Sequence, residues 1–495
     1  MTAKKTASAV LIRTRAGRAE LFWAQRALAR AFLGGFHAFF AGSKLPADAS
    51  FVACAARELF EEAGVLVTRS GTRLIALDED SALGVLRRRA CTGELDFESE
   101  LGELGLQLDA ARFEPVGHWL TPPWLLPTSE TAFFVVRLGD DDHGIFDALA
   151  DHLQVEEFEV GSWIEPAAAL AAWQTGQVFM TTPIEHIVRA LAEDASSPGR
   201  LLPGEQEQAV SQAHIEIVAG LRVLPLHTAT LLPATHTNCV IVGQSELVII
   251  DPGSKPGAEL DKLWELVDRL VDAGARLKAI VLTHQHPDHV GGVRETATRY
   301  AAPVWAHAAT ALALEGAGIR VSRLLDDGER LVLAGDAGGE HALECLHTPG
   351  HAAGHLCFYH ERSGCLIAGD LVASTGTIVI DPPEGNMGDY LASLRRAQRV
   401  GARMLLPAHG WLVAQPERLL EHFVEHRLAR EQLVVAALEQ CENPAMLLEL
   451  VPIVYADVPE YVWPLAARSL LAHLEHLVEQ GVAGREGDRF WHCGQ

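Results

Sequence analysis

Long apolar runs are missing from this chain: none approaches the roughly 18 residues that a membrane-spanning helix needs. Basic side chains are scarce too, 40 against 65 acidic, for a formal net charge of −25. That deficit argues against general nucleic-acid binding, because phosphates need basic partners. An acidic surface chiefly serves solubility. The eight cysteines are scattered without a C-x-x-C pair, which indicates neither a disulfide framework nor a thiolate zinc site. The apolar stretch after Lys4 and Lys5 is cut off at Arg13, too short for a secretory h-region, so a cytoplasmic location is expected. With only 21% charged residues the chain is not disordered, and its length of 495 residues predicts about three domains.

Histidine, by contrast, is concentrated. Ala279-Ile280-Val281-Leu282 reads as a buried strand, and Thr283-His284-Gln285-His286-Pro287-Asp288-His289 follows it. Two histidines two residues apart at a strand end can turn toward one point. Asp288 and His289 add a carboxylate and an imidazole, ligand types that suit zinc or a similar borderline metal.

Downstream come His347-Thr348-Pro349-Gly350-His351, Ala368-Gly369-Asp370 and Leu406-Pro407-Ala408-His409-Gly410; upstream lies Leu247-Val248-Ile249-Ile250-Asp251-Pro252-Gly253. Together these motifs, over about residues 213–418, resemble the metallo-β-lactamase superfamily and imply its αββα sandwich. By that resemblance His284, His286 and His351 hold one metal, and Asp288, His289 and His409 the other. Asp370 bridges them, Asp288 is also catalytic, and Asp251 holds loops from behind the ligands. Two ions are implied, zinc or else iron or manganese. Gly243-Gln244-Ser245-Glu246 reads as a hairpin turn, and an amphipathic helix carries Leu260, Leu263, Val267, Leu270 and Val271. Among the other histidines, His355 reads as supporting or packing and His307 as structural.

At the N-terminal end, Ser8-Ala9-Val10-Leu11-Ile12 and Ala19-Glu20-Leu21-Phe22-Trp23-Ala24 predict a hairpin. A helix follows from an N-cap at Ser50 to a stop at Gly64. Glu58, Glu61 and Glu62 share one face of it, and like charges at that spacing repel unless a cation sits among them. The order Arg-Glu-x-x-Glu-Glu-x-Gly resembles the Nudix box, and residues 1–196 resemble that family's α/β/α sandwich. Trp119-Leu120-Thr121-Pro122 and Trp163-Ile164-Glu165-Pro166 are similar to landmarks of its coenzyme A diphosphatase branch. The resemblance makes Glu58, Glu61 and Glu62 catalytic ligands for Mg²⁺ or Mn²⁺. The turn Phe39-Phe40-Ala41-Gly42-Ser43-Lys44 departs from the family's Phe-Pro-Gly-Gly type. Counting back from Arg57, the box opens on Ser43 with Ala49 as its first acidic position; a one-residue insertion makes these Gly42 and Asp48.

A Ser-, Pro- and Gly-rich stretch over 195–204 marks a boundary, with a linker expected over 197–212. From about residue 425 the pattern turns helical. Residues 425–495 resemble the winged-helix tail of the β-lactamase-like-protein-2 branch, which includes an endoribonuclease. Residues 430–495 carry ten acidic and four basic side chains, net −6, so packing or homodimer formation suits this tail better than nucleic acid. The whole reads as an α+β chain of three domains. Its two-metal chemistry serves thioesters, lactams and phosphodiesters alike. Fusion to a Nudix half suggests an acyl thioester of coenzyme A as the small-molecule substrate. RNA cleavage is the alternative, as is a Nudix half kept only to bind a nucleotide.

Overall fold

The structure is a computed structural model that describes residues 3–30, 32–93, 96–122, 128–139, 142, 146–196, 199, 201–204, 213–336 and 338–494. The chain forms two compact units, Met1–Arg222 and Val223–Gln495. Most of the stretch expected as a linker over 197–212 lies outside the described residues.

In the first unit a mixed sheet runs in the order Phe179–Met180, Phe36–Ala38, Arg18–Arg26, Lys4–Arg15, Ser129–Arg137, Phe113–Leu120. The predicted hairpin is there, with Leu11 opposite Phe22 and Thr14 opposite Ala19. Side-chain alternation explains the near-continuous apolar run of its strands, because both faces are covered. Ala7, Ala9, Leu11, Phe22 and Ala24 pack beneath the helix Phe51–Ala63, against Leu59, Phe60 and Ala63. Val10, Ile12, Leu21 and Trp23 face the other way, against Trp173, Ile184, Ile187 and Leu191 of the helices Pro166–Gln174 and Thr182–Glu193. The helix Phe51–Ala63 has the predicted ends. Ser50 Oγ accepts from Ala53 N at 3.0 Å, and Gly64 takes the left-handed conformation at φ 72°.

In the second unit two sheets pack face to face. One contains, in order, His236–Gly243, Glu246–Ile250, Arg276–Val281, Val304–Ala306 and Val321–Leu324. The other runs Arg330–Asp336, Gly339–His347, Leu356–His360, Cys365–Gly369, Met404–Pro407. On the first lie the helices Ala258–Asp272 and Val293–Tyr300; on the second, Met387–Val400 and Pro416–Glu439. The buried stripe of Ala258–Asp272 is Leu260, Leu263, Leu266 and Val267, and Val271 is exposed. The apolar pattern continues one turn past the last buried residue, Val267.

The tail is one helical layer with a small sheet. Leu447–Val454 and Trp463–Glu479 pack on the end of Pro416–Glu439 around Val434, Leu438, Leu450, Leu470 and Leu474. Ala483–Glu486 and Arg489–His492 form the wing, with Ala445–Met446 beside it. All eight cysteines are free: Cys239, Cys345, Cys357 and Cys365 are buried in the sheets, and Cys493 is exposed. Burial pushes the thiols of Cys345, Cys357 and Cys365 up to about 12 and that of Cys239 well above the ordinary range.

Candidate functional site

The strand Arg276–Val281 delivers Thr283 and His284 to the end of its sheet, and Pro287 starts a single helical turn, Pro287–Val290, with His286 at its N-cap. That turn aims Asp288 and His289 back at the strand end. It lies so close to the loop after Glu246–Ile250 that a Cβ on Gly253 would sit 1.8 Å from the Asp288 carbonyl. His351, Asp370 and His409 arrive on loops after three strands of the facing sheet. The main chain joins the two sheets here, Asn238 N donating to Ala408 O at 2.8 Å.

Seven side chains converge. His284, His286 and His351 form one group, Asp288, His289 and His409 another, and Asp370 joins His284 and His289 in a third; within each, the ligand-type atoms lie within 4.8 Å of one another. His286 Nδ1 is 3.0 Å from His284 Nε2 and 2.9 Å from His351 Nε2. Asp370 Oδ1 is 3.2 Å from His409 Nε2 and 3.5 Å from His289 Nε2, while its Oδ2 is 3.4 Å from His351 Nε2. Despite these approaches, His289 Nε2 and Asp370 Oδ1 are buried without a well-aligned hydrogen-bond partner among the described residues. Orphaned buried polar atoms are rare and call for an explanation. A cation between imidazole nitrogens and a carboxylate fits this donor set.

Three of the imidazoles are oriented from behind. Asp251 accepts from Thr283 N at 2.8 Å and Thr283 Oγ1 at 2.5 Å, and from His289 Nδ1 at 2.8 Å. His409 Nδ1 donates to His236 O at 3.0 Å, and His351 Nδ1 to Val379 O at 2.7 Å. Nε2 of these three then faces the cluster, whereas His286 turns its Nδ1 inward. Burial, with neighbouring imidazoles, pushes His284 well below its ordinary range. Burial also pushes His351 down to about 4, so both are neutral at pH 7 and able to ligate. Burial opposes the charged form of Asp370, yet His409 and His289 hold it well below the usual carboxylate range.

His355 supports rather than faces the cluster. Its Nε2 accepts from Asp370 N at 3.0 Å, and burial holds the ring down to about 3, keeping that acceptor unprotonated. His307 caps the helix Ala308–Leu314 and stacks on His347 with centroids 4.2 Å apart. Sequence reasoning missed Glu384, whose Oε1 is 3.5 Å from His286 Nε2, and Thr230, whose Oγ1 is 3.4 Å from His409 Nε2. Both sit on irregular loops with no motif to mark them.

The glutamate helix presents a different picture. Glu58, Glu61 and Glu62 are all buried, but among the described residues they do not form a group like those above. Arg57 stands among the carboxylates instead. It donates to Asp48 through Nε and Nη2 at 3.0 Å each, meets Glu61 at 2.7 Å and Glu58 at 2.9 Å, and reaches Ser43 O at 2.8 Å. Glu62 turns away to accept from Ala41 N at 2.9 Å. Of the two alignments left open by the sequence, Gly42 and Asp48 are the residues that face the helix. A Cβ on Gly42 would lie 2.2 Å from the Glu58 carboxylate, and Ser43 contributes only its carbonyl. Burial lifts Glu58 to about 7 and Glu62 well above the carboxylate range. Arg87, missed by the sequence reading, is fully buried and caps the Glu61 carbonyl through Nη2 at 3.1 Å.

Residues 232–409 match the metallo-β-lactamase superfamily, 447–491 the β-lactamase associated winged helix domain, and 26–190 the NUDT19 Nudix domain. A β-lactamase-like protein 2 homolog of Drosophila melanogaster is 28% identical over 273 residues, 50% of this chain and 83% of that protein. An atrochrysone carboxyl ACP thioesterase of Aspergillus chevalieri is 27% identical over 260 residues, 51% of this chain and 76% of that protein. Among solved structures, a metallo-β-lactamase family protein from Thermus thermophilus is 27% identical, covering 56% of this chain and 99% of its own, with TM-score 0.45. The chain is a hydrolase that joins a Nudix domain to a metallo-β-lactamase domain with a winged-helix tail, and both hydrolase families bind divalent metals.

Proposed function

We propose that the chain carries two metal-dependent hydrolytic centres, one dinuclear and acting on a thioester or related small-molecule ester, the other a diphosphatase for coenzyme A-type substrates. The observation that carries the first is the meeting of seven side chains around His289 Nε2 and Asp370 Oδ1, both buried and without well-aligned hydrogen-bond partners among the described residues. In this reading His284, His286 and His351 would hold one ion and Asp288, His289 and His409 the other, with Asp370 as the ligand common to both. Zinc, or else iron or manganese, would supply Lewis-acid chemistry there, for activation of water and polarisation of the bond under attack. The protein's own part is orientation and proton handling. Asp251 and Thr283 fix His289, Val379 O fixes His351, and His236 O fixes His409. Asp288 is half-buried and 3.5 Å from His409 Nε2, a place from which a carboxylate can exchange a proton with solvent. The thioesterase named among the relatives supports thioester over other acyl bonds.

In the Nudix domain, Glu58, Glu61 and Glu62 are read as ligands for Mg²⁺ or Mn²⁺. Burial raises all three carboxyls, and a divalent cation would reverse that. A cavity of about 220 Å³ adjoins them through Ala41, lined by Arg26, Phe36, Phe39, Trp119 and Phe133, suited to an aromatic base beside a diphosphate.

Acyl-coenzyme A, nucleotide-sugar and single-stranded RNA substrates should be screened on the full chain, with Asp370→Ala and Glu61→Gln as controls for each centre. Thioester cleavage lost only in Asp370→Ala, with diphosphate cleavage lost only in Glu61→Gln, supports the reading. RNA cleavage lost in Asp370→Ala would replace the first half of it, and absence of any diphosphate cleavage would leave the Nudix half a nucleotide-binding module.

A further inference from the structure

The loop after Cys365–Gly369 crosses the metal cluster on its way to the helix Met387–Val400, and the tail holds it from outside. Arg427, on the helix Pro416–Glu439, is only 3% exposed. Its Nη2 donates to the Ile378 carbonyl and lies 3.4 Å from Thr377 Oγ1. The next carbonyl, that of Val379, accepts from His351 Nδ1 at 2.7 Å. The Ile378 and Val379 carbonyls are consecutive along the chain, so a clamp on Ile378 O restrains the peptide that aims Val379 O at His351. Ile378 and Ile380 are buried in one apolar cluster with Phe423 and Val424 of the same helix, which leaves the segment little freedom to rotate.

A second connection runs from the same guanidinium. Arg427 lies 5.5 Å from the centroid of the Tyr390 ring, and the Tyr390 hydroxyl donates to Leu371 O at 2.8 Å, one residue past Asp370. The Tyr390 main chain also abuts Gly350, the residue before His351, where a Cβ would lie 2.3 Å from Tyr390 N. One buried cation thus touches the supports of two cluster residues on different loops. More of the tail grips the same loop, through Arg468 to Asp381 at 3.0 Å and Asn386 to Glu479 at 3.3 Å.

We propose that Arg427 is a positioning residue for the metal cluster, and that the helix leading into the winged-helix tail serves to hold His351 and Asp370 in ligating geometry. The inference rests on reading the seven side chains as a metal site. Its test is cobalt binding by the full chain, followed by chelator competition and by the visible absorption spectrum of the loaded protein. Arg427→Met should weaken binding about 10-fold or more, the scale on which outer supports of a metal ligand act, and should alter the spectrum. Arg427→Lys keeps the charge without the fork and should shift both readouts less, in the same direction, so the result does not depend on the Met variant folding. Arg430→Met is the control. Arg430 is another buried arginine of that helix, but its guanidinium holds Val454 O, and Asp457 at 2.8 Å, within the tail. It should leave affinity and spectrum unchanged. Wild-type affinity and spectrum in both Arg427 variants, or an equal loss in Arg430→Met, would overturn the inference alone. A wild-type chain whose cobalt binding is indifferent to Asp370→Ala would overturn the metal-site reading as well.

Discussion

At Asp370, one carboxylate stands between two groups of imidazoles on a residue whose main-chain N donates to His355, so on the proposed reading its removal should be felt by both metal ions. Metal analysis of purified Asp370→Ala is expected to show loss of most bound metal together with loss of hydrolysis. Two tightly retained metals would sink the ligand assignment. The glutamate helix makes a separate prediction. Glu61→Gln and Glu62→Gln should each lower the proposed diphosphatase rate by roughly 100-fold or more, as for loss of an electrostatic catalytic element. Kinetics at saturating magnesium would check it. Wild-type rates in both variants would remove these side chains from the site.

Between elements, the apolar contact of Pro416–Glu439 with Trp463–Glu479 also carries one buried acid. Glu431 Oε2 lies 2.7 Å from His476 Nδ1 and 3.5 Å from His473 Nδ1. Burial alone would raise Glu431, but the two histidines hold it down to about 2, and Glu431 in turn raises His476. A depressed acid stabilises above its unfolded value of 4.5 and loses that stabilisation as pH falls toward about 2. A raised histidine stabilises below its unfolded value of 6.5 and loses it as pH rises through the higher folded value. Glu431→Gln should therefore destabilise most between about pH 4.5 and 6.5, by about 1.5–3 kcal/mol for a charged hydrogen bond. Thermal melts across pH 3–8 would show the gap between variant and wild type closing at both ends. A gap independent of pH would rule the ion pair out as its source.

How much of this was legible beforehand follows from how each feature is written along the chain. The segment from Thr283 to His289 supplies four of the seven cluster residues contiguously, so strand, turn and ligand types could be read together. Ser50 and Gly64 announced their helix because caps are local chemistry. The alignment of Asp48 and Gly42 could not be decided, because residue counting cannot place an insertion in an irregular turn. Arg427 and Ile378 are 49 residues apart, and nothing in either neighbourhood marks the bond between them. Glu384 and Thr230 were invisible for the same reason.

For the molecule as a whole, charge is the property most easily tested. With −25 over the chain and −6 over residues 430–495, single-stranded RNA should bind weakly at moderate salt. Each phosphate neutralised would add about −0.7 to the slope of log K against log salt. A steep slope that disappears on deleting residues 425–495 would promote RNA as the substrate. A flat response would favour a small molecule. No helix among the described residues is long and apolar enough to cross a membrane. The eight unpaired thiols carry a practical consequence for such experiments. Alkylation needs the thiolate, and the four sheet cysteines are both buried and held protonated far above neutral pH. A maleimide dye at pH 7 should therefore mark the exposed Cys493 well ahead of those four, and replacing the partly exposed Cys91 and Cys441 would confine a fluorescent reporter to the wing.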